Sequence, residues 1–403
     1  MNTTARLSVM MFLEYVIWGS WLPLLARYLG DFLHFSGTEI AWIYGTSAIA
    51  SITAVFLSGQ LADRHLSTER FLALSHLVGG SAMIALAFQR SFWPFFLCML
   101  LHSLMYIPTL SLTNSICFYH LKDAQRQFGL VRLFGTIGWI AVSWPLYFIL
   151  LDAQGAQLES ALTSIFWIAG GASLLLAALS LALPHTPPTR SGQGNAPLEA
   201  IKLLAAPAVL VLFVVALLDA AVHQGYFQLS ARFYATLGIP DRLIMIAMSL
   251  GQVAEIGTMA LLGIVLKGLG WRRTMTIGIV GQAVRFAIYS LGGPVWLVVA
   301  SNLVHGLCYA FFFASVYIFV DAYFPKDARA SAQGLFNLVI LGVGPFLGAQ
   351  LWGKLQDLLT TPAGIDYTKL FLGPMGLAVV AALILFFGFH PRDRRPAEEL
   401  NAA

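Results

Sequence analysis

Twelve long apolar stretches constrain this chain more than any other feature of its sequence. Each holds about 20 mostly hydrophobic residues, the length that an α-helix needs to cross a bilayer. Inside lipid the backbone must satisfy its own hydrogen bonds, so such runs form helices. The stretches lie near residues 7–29, 40–61, 71–89, 93–118, 129–151, 161–183, 207–234, 243–266, 273–291, 294–322, 330–353 and 368–389. The sequence therefore predicts an all-α polytopic membrane protein with twelve transmembrane helices.

Charged residues are too sparse to cover a water-soluble surface. Of the 403 residues, 58% are hydrophobic and only 10% are charged, whereas a soluble domain carries about 25% charged residues. The net charge of +4 arises from Lys and Arg in short loops, which indicates membrane topology and not a nucleic-acid partner. Cys98, Cys117 and Cys308 lie in apolar stretches without a CxxC pair, so we expect neither a metal site nor a cofactor.

The distribution of Lys and Arg predicts the orientation. Fifteen of the 23 basic residues fall in segments on one side of the predicted membrane and six on the other, while Arg132 and Arg285 lie within helices. The positive-inside rule then places both termini in the cytoplasm. The first apolar run is too long for the core of a signal peptide, so we expect a retained first helix.

One long polar break divides the twelve stretches into six and six. It is rich in Pro, Gly and Ser, as is typical of a linker. We predict an N-terminal six-helix bundle over residues 1–183, a cytoplasmic linker over 184–206 and a C-terminal six-helix bundle with a short tail over 207–403. The basic loop after helix 2 is echoed by the basic loop after helix 8, which favours two related halves.

The loop after helix 2 carries a recognisable motif. Gly59-Gln-Leu-Ala-Asp63-Arg64, with Arg70 further on, resembles the loop 2–3 signature of the major facilitator superfamily. In that family such a loop contributes to gating, so the resemblance implies a major facilitator fold and a gating role for Gly59, Asp63, Arg64 and Arg70. The alternative is a charged loop that only fixes the topology.

Ionisable residues inside spanning helices are costly and are therefore functional candidates. Those on predicted spans are Glu14, Arg132, Asp219, Glu255 and Arg285, with His102, His223 and His305 as weaker candidates. Arg132, Thr136 and Trp139 have the spacing i, i+4, i+7 and share one helix face. A cation, a hydroxyl and a flat ring on one face suit a polar ring compound. The alternative for Arg132 is a structural ion pair at the helix end.

Helix 8 carries a second polar pair. Gln252 and Glu255 are three residues apart and share a face, where an amide can bind a polar ligand and a desolvated carboxyl can take up a proton. The alternative is a structural pair between Glu255 and Arg285. On helices 7 and 10 aromatic and polar residues repeat at helical spacing, as with His223 and Tyr226. Such residues serve either packing or stacking on a flat ligand.

Several segments resemble the bacterial nucleoside permeases of the nucleoside:proton symporter family. The segments, in order along the chain, are FLEYVIWGSW at 12–21, YIPTLSLTN at 106–114, RLFGTIGW at 132–139, RFAIYSLGGP at 285–294 and RASAQGLF at 329–336. The resemblance implies a monomeric bacterial inner-membrane transporter with a nucleoside and protons as its partners. It implies substrate-binding roles for Arg132, Thr136, Trp139, Gln252, Glu255 and Tyr309.

The chain departs from the family pattern at three places. The family's acidic residue beside the helix 10 aromatic is Ala310, helix 7 amide positions become His223 and Tyr226, and a helix 1 glutamine becomes Glu14. His223 and Tyr226 are kept as substrate-binding candidates. Proton coupling is assigned to Glu255, with Glu14 and Asp219 as candidates to replace the missing acid.

The sequence leaves two other kinds of function open. The Ala310 and Tyr226 departures would suit a transporter for a sugar or another polyol-bearing metabolite. A transporter-like nutrient sensor without net flux is a further possibility, although no signalling domain is visible in the sequence. An enzyme is not expected, because the sequence shows no nucleotide-binding glycine loop, metal cluster or nucleophile triad.

Overall fold

A computed structural model describes residues 2–65, 67–187, 203–324 and 326–391 of the chain. Within these ranges the side chains of residues 55–65, 124–126, 203, 326–328, 330 and 331 are not described. Almost all of the described chain is helical, as the apolar stretches predict. The described residues contain one two-stranded hairpin, Thr360–Thr361 with Gly364–Ile365.

Nine α-helices lie within the described residues before residue 188. They are α1 Thr3–Trp21, α2 Leu25–Asp31, α3 Gly37–His65, α4 Thr68–Leu86, α5 Phe92–His120, α6 Ala124–Ala141, α7 Ser143–Ile149, α8 Gly155–Leu162 and α9 Ser164–Ser180.

Eight α-helices lie within the described residues from 203 onward. They are α10 Pro207–Thr236, α11 Asp241–Ser290, α12 Val295–Ala300, α13 Val304–Cys308, α14 Ser315–Tyr323, α15 Lys326–Asn337, α16 Gly344–Leu358 and α17 Tyr367–Gly388. Short 3-10 segments at Leu203–Ala205 and Ser301–Leu303 and π-helical turns at Tyr309–Ala314 and Leu338–Val343 complete the set.

Each predicted apolar stretch falls largely on helix. In the described part of the chain, nine helical segments are long and apolar enough to cross a membrane. One of these, α11, has 50 residues and would measure about 75 Å, more than twice the roughly 30 Å of a hydrocarbon core. Its backbone leaves helical geometry at Gly270, where φ is 71°. Since only glycine adopts that conformation readily, Gly270 divides α11 into two helices of membrane length.

The described residues form two compact units. The first is built from segments within residues 1–192, 225–250 and 349–360, and the second from segments within 193–224, 251–348 and 361–403. Three helices are therefore divided between the units, with one part of each helix in each unit: α10, α11 and α16. The predicted division at 184–206 stays a prediction, because most of that segment lies outside the described residues.

Four charged side chains form a cluster in the first unit. Arg27 Nε donates to Asp241 Oδ1 over 2.8 Å, and Arg232 Nε donates to Asp31 Oδ1 over 2.8 Å. Arg27 also contacts Asp31. Two cations and two carboxylates balance each other in a partly buried position, where an unpaired charge would be costly. The predicted topology places Arg27 and Arg232 on the same side of the membrane, and this placement stays a prediction.

Asp357 gives the first unit a further polar contact. Its carboxylate accepts hydrogen bonds from the Gly37 and Thr38 backbone N–H groups over 2.5 and 2.8 Å, and from the Thr38 hydroxyl over 2.6 Å. These N–H groups belong to the first turn of α3, which has no intrahelical acceptor for them. Asp357 of α16 thus caps α3 from a distant part of the chain.

Glu69 connects the start of α4 to the segment that follows α9, ahead of the predicted span at 71–89. Its carboxylate accepts from His185 Nδ1 over 2.8 Å and from the Thr186 N–H over 3.0 Å. Burial alone would raise the pKa of this carboxyl, but its hydrogen bonds outweigh burial and lower the pKa to about 2. A folded-state pKa below the ordinary value of 4.5 means that the charged form stabilises the fold.

We expect Glu69→Gln to lower the thermal unfolding temperature at neutral pH by about 2 °C or more. The stabilisation by Glu69 is complete above pH 4.5 and is lost as pH falls towards 2. The difference between the wild-type protein and the variant should therefore shrink over that window. Thermal unfolding of purified protein across a pH series measures it, with Glu159→Gln as the control because its Arg90 partner is 3.7 Å away. A difference independent of pH would contradict the assignment.

Candidate functional site

The predicted polar face of α6 lies against α1. The Arg132 guanidinium carbon sits 4.1 Å from the centre of the Tyr15 ring, a cation–π contact. A Cβ atom at Gly135 would lie 2.7 Å from both Arg132 Nη1 and the Tyr15 ring. The glycine one turn from Arg132 therefore leaves the space that the stack occupies.

Aromatic rings continue this face beyond Arg132. Trp139 packs edge-to-face on Trp18, with ring centres 5.7 Å apart, and lies 6.1 Å from Phe227. Thr136 is half-buried between Arg132 and Trp139 along the helix. The structure thus brings Arg132 and Trp139 of α6 against Tyr15 and Trp18 of α1. A cation beside several rings can bind a flat, polar ligand.

The predicted pair on α10 is split between the two units. Tyr226 belongs to the first unit, is fully buried, and has its hydroxyl 3.5 Å from the Met248 carbonyl oxygen. His223 belongs to the second unit, where its Nδ1 lies 3.2 Å from Gln282 Nε2. Because an amide nitrogen only donates, His223 Nδ1 is the acceptor in this contact.

Gln252 and Glu255 lie on one face of α11 in the second unit. Gln252 is 8% exposed, and its Oε1 atom has no hydrogen-bond partner within the described structure. Glu255 is half-buried. A Cβ atom at Gly306 would lie 2.5 Å from the Ala254 carbonyl carbon and from the Glu255 nitrogen. The glycine therefore allows α13 to pack directly on the backbone that carries the pair.

Tyr309 begins the π-helical turn Tyr309–Ala314, a distortion that often accompanies functional sites. The Tyr309 ring is half-buried, and its centre lies 6.1 Å from the centre of Phe313. Its neighbour Ala310 is fully buried in an apolar cluster with Leu262 and Phe311. Those apolar surroundings would penalise a charged carboxylate at position 310, so the substitution suits its environment.

A buried polar cluster surrounds Asp219 in the second unit. Asp219 is fully buried, and its carboxyl interacts with Arg285 and with Gln282. Arg285 donates to His305 Nδ1 over 3.0 Å and also contacts Gln282. The His305 and His223 rings stack with centres 5.0 Å apart. The cluster thus combines one acid with one permanent cation.

Glu14 occupies a comparable buried position in the first unit. Its side chain is fully buried, Thr109 Oγ1 lies 2.7 Å from Oε1, and His76 Nε2 lies 3.1 Å from Oε2. Tyr106 donates to the Glu14 carbonyl oxygen over 2.6 Å. Glu14 was predicted, whereas His76 was missed, because a lone histidine in an apolar helix gives no sequence signal of a partner on another helix.

Most of the predicted gating motif belongs to the end of α3. Gly59, Asp63 and Arg64 have their backbone in this helix, and the side chains of Asp63 and Arg64 lie outside the described part of the structure. Arg70 is described and exposed on the first turn of α4. The gating role of all four residues stays a prediction.

Long apolar helices with buried polar side chains are typical of a polytopic membrane transporter. The family model described as "Nucleoside H+ symporter" matches residues 1–394. The chain belongs to this family, and the resemblance noted in the sequence is confirmed. The family consists of transporters, so the expectation that the chain is not an enzyme is also confirmed.

Two relatives from Escherichia coli strain K12 are each 32% identical to this chain. The alignment with a putative nucleoside transporter, YegT, covers 96% of this chain and 94% of that protein. The alignment with a xanthosine permease covers 96% of each chain. The crystal structure of the nucleoside transporter NupG superposes with a TM-score of 0.87 at 28% identity, covering 97% of this chain and all of that one. A D-xylose-proton symporter, 14% identical with a TM-score of 0.77, shares the fold.

Proposed function

We propose that this protein imports nucleosides by proton symport, through alternating exposure of a binding site to the two sides of the membrane. Its family and the names of its relatives support the substrate class. The observation that carries the proposal is the Arg132–Tyr15 stack beside Trp18 and Trp139. A cation next to several rings suits a ligand that combines a flat base with hydroxyl groups.

The roles of the site residues follow from their chemistry. Trp139 or Tyr309 would stack on the base, and Arg132 with Thr136 would bind polar atoms of the substrate. Gln252 would bond the ribose, which is supported by its buried, unpartnered Oε1. Glu255 would bond a ribose hydroxyl and take up a proton. His223 and Tyr226 remain candidates for contacts of α10 with the substrate.

The membrane arrangement is part of the same proposal. The division of α11 at Gly270, together with α3 and α4, supports twelve crossings in two six-helix halves joined over 184–206. The excess of Lys and Arg supports cytoplasmic termini. We place the protein in the bacterial inner membrane as a monomer in contact with lipid, without nucleic acid, metal or cofactor.

A transporter of sugars or other polyols is the alternative. The Ala310 departure motivates it, and a maltose permease of Geobacillus stearothermophilus is 24% identical over 86% of this chain. The two substrate classes differ by the base, which only the nucleoside can place on Trp139.

Thermal-shift binding assays with nucleoside and free-sugar panels separate these candidates. We expect nucleosides to stabilise the wild-type protein and free pentoses to fail, because the sugars lack the stacking base. Glu255→Gln should weaken nucleoside binding by about tenfold, the loss of one hydrogen bond to a charged group. Glu159→Gln, on a partly exposed carboxyl remote in sequence from the proposed site, serves as the matched control. Stabilisation by sugars alone would overturn the nucleoside assignment.

A further inference from the structure

We propose that Glu14 and His76 form a proton-binding pair in the first unit, which holds the transported proton next to the Arg132 face. This inference deepens the proposed function and rests on it for the identity of the substrate. It concerns a position where the chain carries an acid and the family pattern carries an amide. The residues involved come from four helices, α1, α4, α5 and α9.

The hydrogen bonds around His76 fix the position of one ring proton. The Ser173 hydroxyl donates its single proton to the His76 carbonyl oxygen over 2.9 Å. The same Ser173 oxygen lies 3.3 Å from His76 Nδ1, so it can only accept there, and Nδ1 must carry a proton. A neutral His76 therefore has a bare lone pair on Nε2. That atom lies 3.1 Å from Glu14 Oε2, and neither atom has another hydrogen-bond partner among the described residues.

The other oxygen of Glu14 contacts a hydroxyl that has two acceptors. Thr109 Oγ1 lies 2.7 Å from Glu14 Oε1 and 2.5 Å from the Tyr106 carbonyl oxygen, three residues earlier on α5. Its single proton is shared between these two acceptors, so Thr109 does not supply a proton at Oε2. An ionised Glu14 would face the Nε2 lone pair of His76 at Oε2. The pair needs one additional proton, which the carboxyl carries and donates to Nε2.

Both members of the pair are shielded from solvent. Glu14 is fully buried and His76 is 1% exposed. With the proton bound, the pair is electrically neutral overall, whereas without it the pair leaves an unshared negative charge in the protein interior, which is costly. Close helix packing preserves the geometry, since a Cβ atom at Gly80 would lie 2.8 Å from the Ser173 Cβ. Loss of the proton therefore requires a conformation in which water reaches the pair.

Other ionisable groups near the pair do not supply the missing proton. His102 Nδ1 lies 3.1 Å from the Gly79 carbonyl oxygen, which can only accept, so its proton is used there. The Tyr106 hydroxyl donates to the Glu14 carbonyl oxygen. Among the described side chains of α6 the charged group is Arg132, which lies over Tyr15, and the sequence of α9 contains no ionisable residue.

The pair is adjacent to the proposed substrate face. Tyr15 follows Glu14 directly in the chain, and its ring stacks under the Arg132 guanidinium. An ionised Glu14 would attract the Arg132 cation, whereas a protonated pair leaves that cation available for the substrate. Protonation should thus precede nucleoside binding, which is the order that couples a proton gradient to uptake.

Infrared titration of the purified protein tests the pair without any substrate. We expect the wild-type protein to show the band of a protonated, buried carboxylic acid that is absent from Glu14→Gln. Asp219→Asn is the comparison variant, because Asp219 is an equally buried acid in the second unit. A band that survives Glu14→Gln but disappears in Asp219→Asn would overturn the proposal.

Ser173→Ala gives a second test if Glu14→Gln does not fold. Removal of the Ser173 oxygen frees Nδ1, so that His76 can carry its proton on Nε2 and donate it to an ionised Glu14. The carboxylic acid band should then be weaker than in the wild-type protein at the same pH. Ser180→Ala is the matched control, since Ser180 is buried on the same helix and its hydroxyl donates to the Leu176 carbonyl oxygen. Equal bands in the wild-type protein and both variants would contradict the assignment of a proton to His76 Nδ1.

Transport measurements connect the pair to coupling. In proteoliposomes Glu14→Gln should retain nucleoside exchange. Its accumulation of nucleoside under a pH gradient should be about tenfold lower than that of the wild-type protein, or lower still. Accumulation equal to that of the wild-type protein would overturn the coupling role. If the wild-type protein transports no nucleoside, the proposed function fails, while the infrared titration still decides whether Glu14 and His76 share a proton.

Discussion

Arg132→Ala is expected to weaken nucleoside binding by about 10- to 100-fold. Hydrogen bonds to a charged group contribute about 1.5–3 kcal/mol, and each 1.4 kcal/mol is a factor of ten in affinity. The variant also removes the cation from the Tyr15 ring, where it now lies 4.1 Å from the ring centre. The reduction should appear in the dissociation constant measured by calorimetry, and in uptake at low nucleoside concentration.

Two further variants separate loss of a contact from loss of charge in general. Arg132→Lys keeps the charge but loses the planar fork, so its affinity should fall between those of the wild-type protein and the alanine variant. Arg273→Ala removes an exposed arginine on α11 and should leave binding unchanged. If Arg132→Ala binds nucleosides as tightly as Arg273→Ala does, then the α6 face does not bind the substrate.

Gly138→Ala is expected to destabilise the protein by about 1–3 kcal/mol, the usual cost of overpacking. A Cβ atom there would lie 2.3 Å from the Phe12 carbonyl oxygen and within 3.2 Å of two more backbone atoms of Phe12. Backbone atoms cannot move aside as a side-chain end can, so α1 and α6 must separate. Their separation should also displace Tyr15 from Arg132 and reduce nucleoside binding.

Gly129→Ala on the same helix is the matched control. No atom lies within 4 Å of a Cβ at Gly129, so the added methyl group meets open space. Alanine favours a helix over glycine by up to about 1 kcal/mol, and this variant should be at least as stable as the wild-type protein. Thermal unfolding measures both variants. If the unfolding temperatures of the two variants fall equally, or if neither falls, then contact with α1 does not exclude a side chain at position 138.

The sequence predicted the helices well because membrane crossing imposes a strong rule on composition. A run of about 20 apolar residues has few alternatives in lipid, and each predicted stretch falls largely on helix. The breaks within those runs were harder to predict. The π-helical turn at Tyr309–Ala314 and the interruption between α1 and α2 depend on packing between helices, which leaves no periodic signal along the chain.

The sequence predicts which residues share a face of one helix, but it does not predict which residues of other helices they contact. Arg132, Thr136 and Trp139 lie on one helix, α6, as their spacing predicts. Tyr15, Trp18 and His76 were missed as partners, because their roles depend on contacts between helices distant in sequence. Glu14 stood out as an acid in an apolar run, but only the structure supplied the serine, threonine and histidine around it.

Uptake of a labelled nucleoside into proteoliposomes, with and without an imposed pH gradient, tests the central claim most directly. Proton symport predicts that the nucleoside accumulates above its external concentration when the outside is acidic. When a protonophore removes the pH gradient, the internal concentration should fall to the external one. Uptake that proceeds equally with and without the gradient would contradict proton coupling. Uptake of free sugars in place of nucleosides would contradict the substrate assignment.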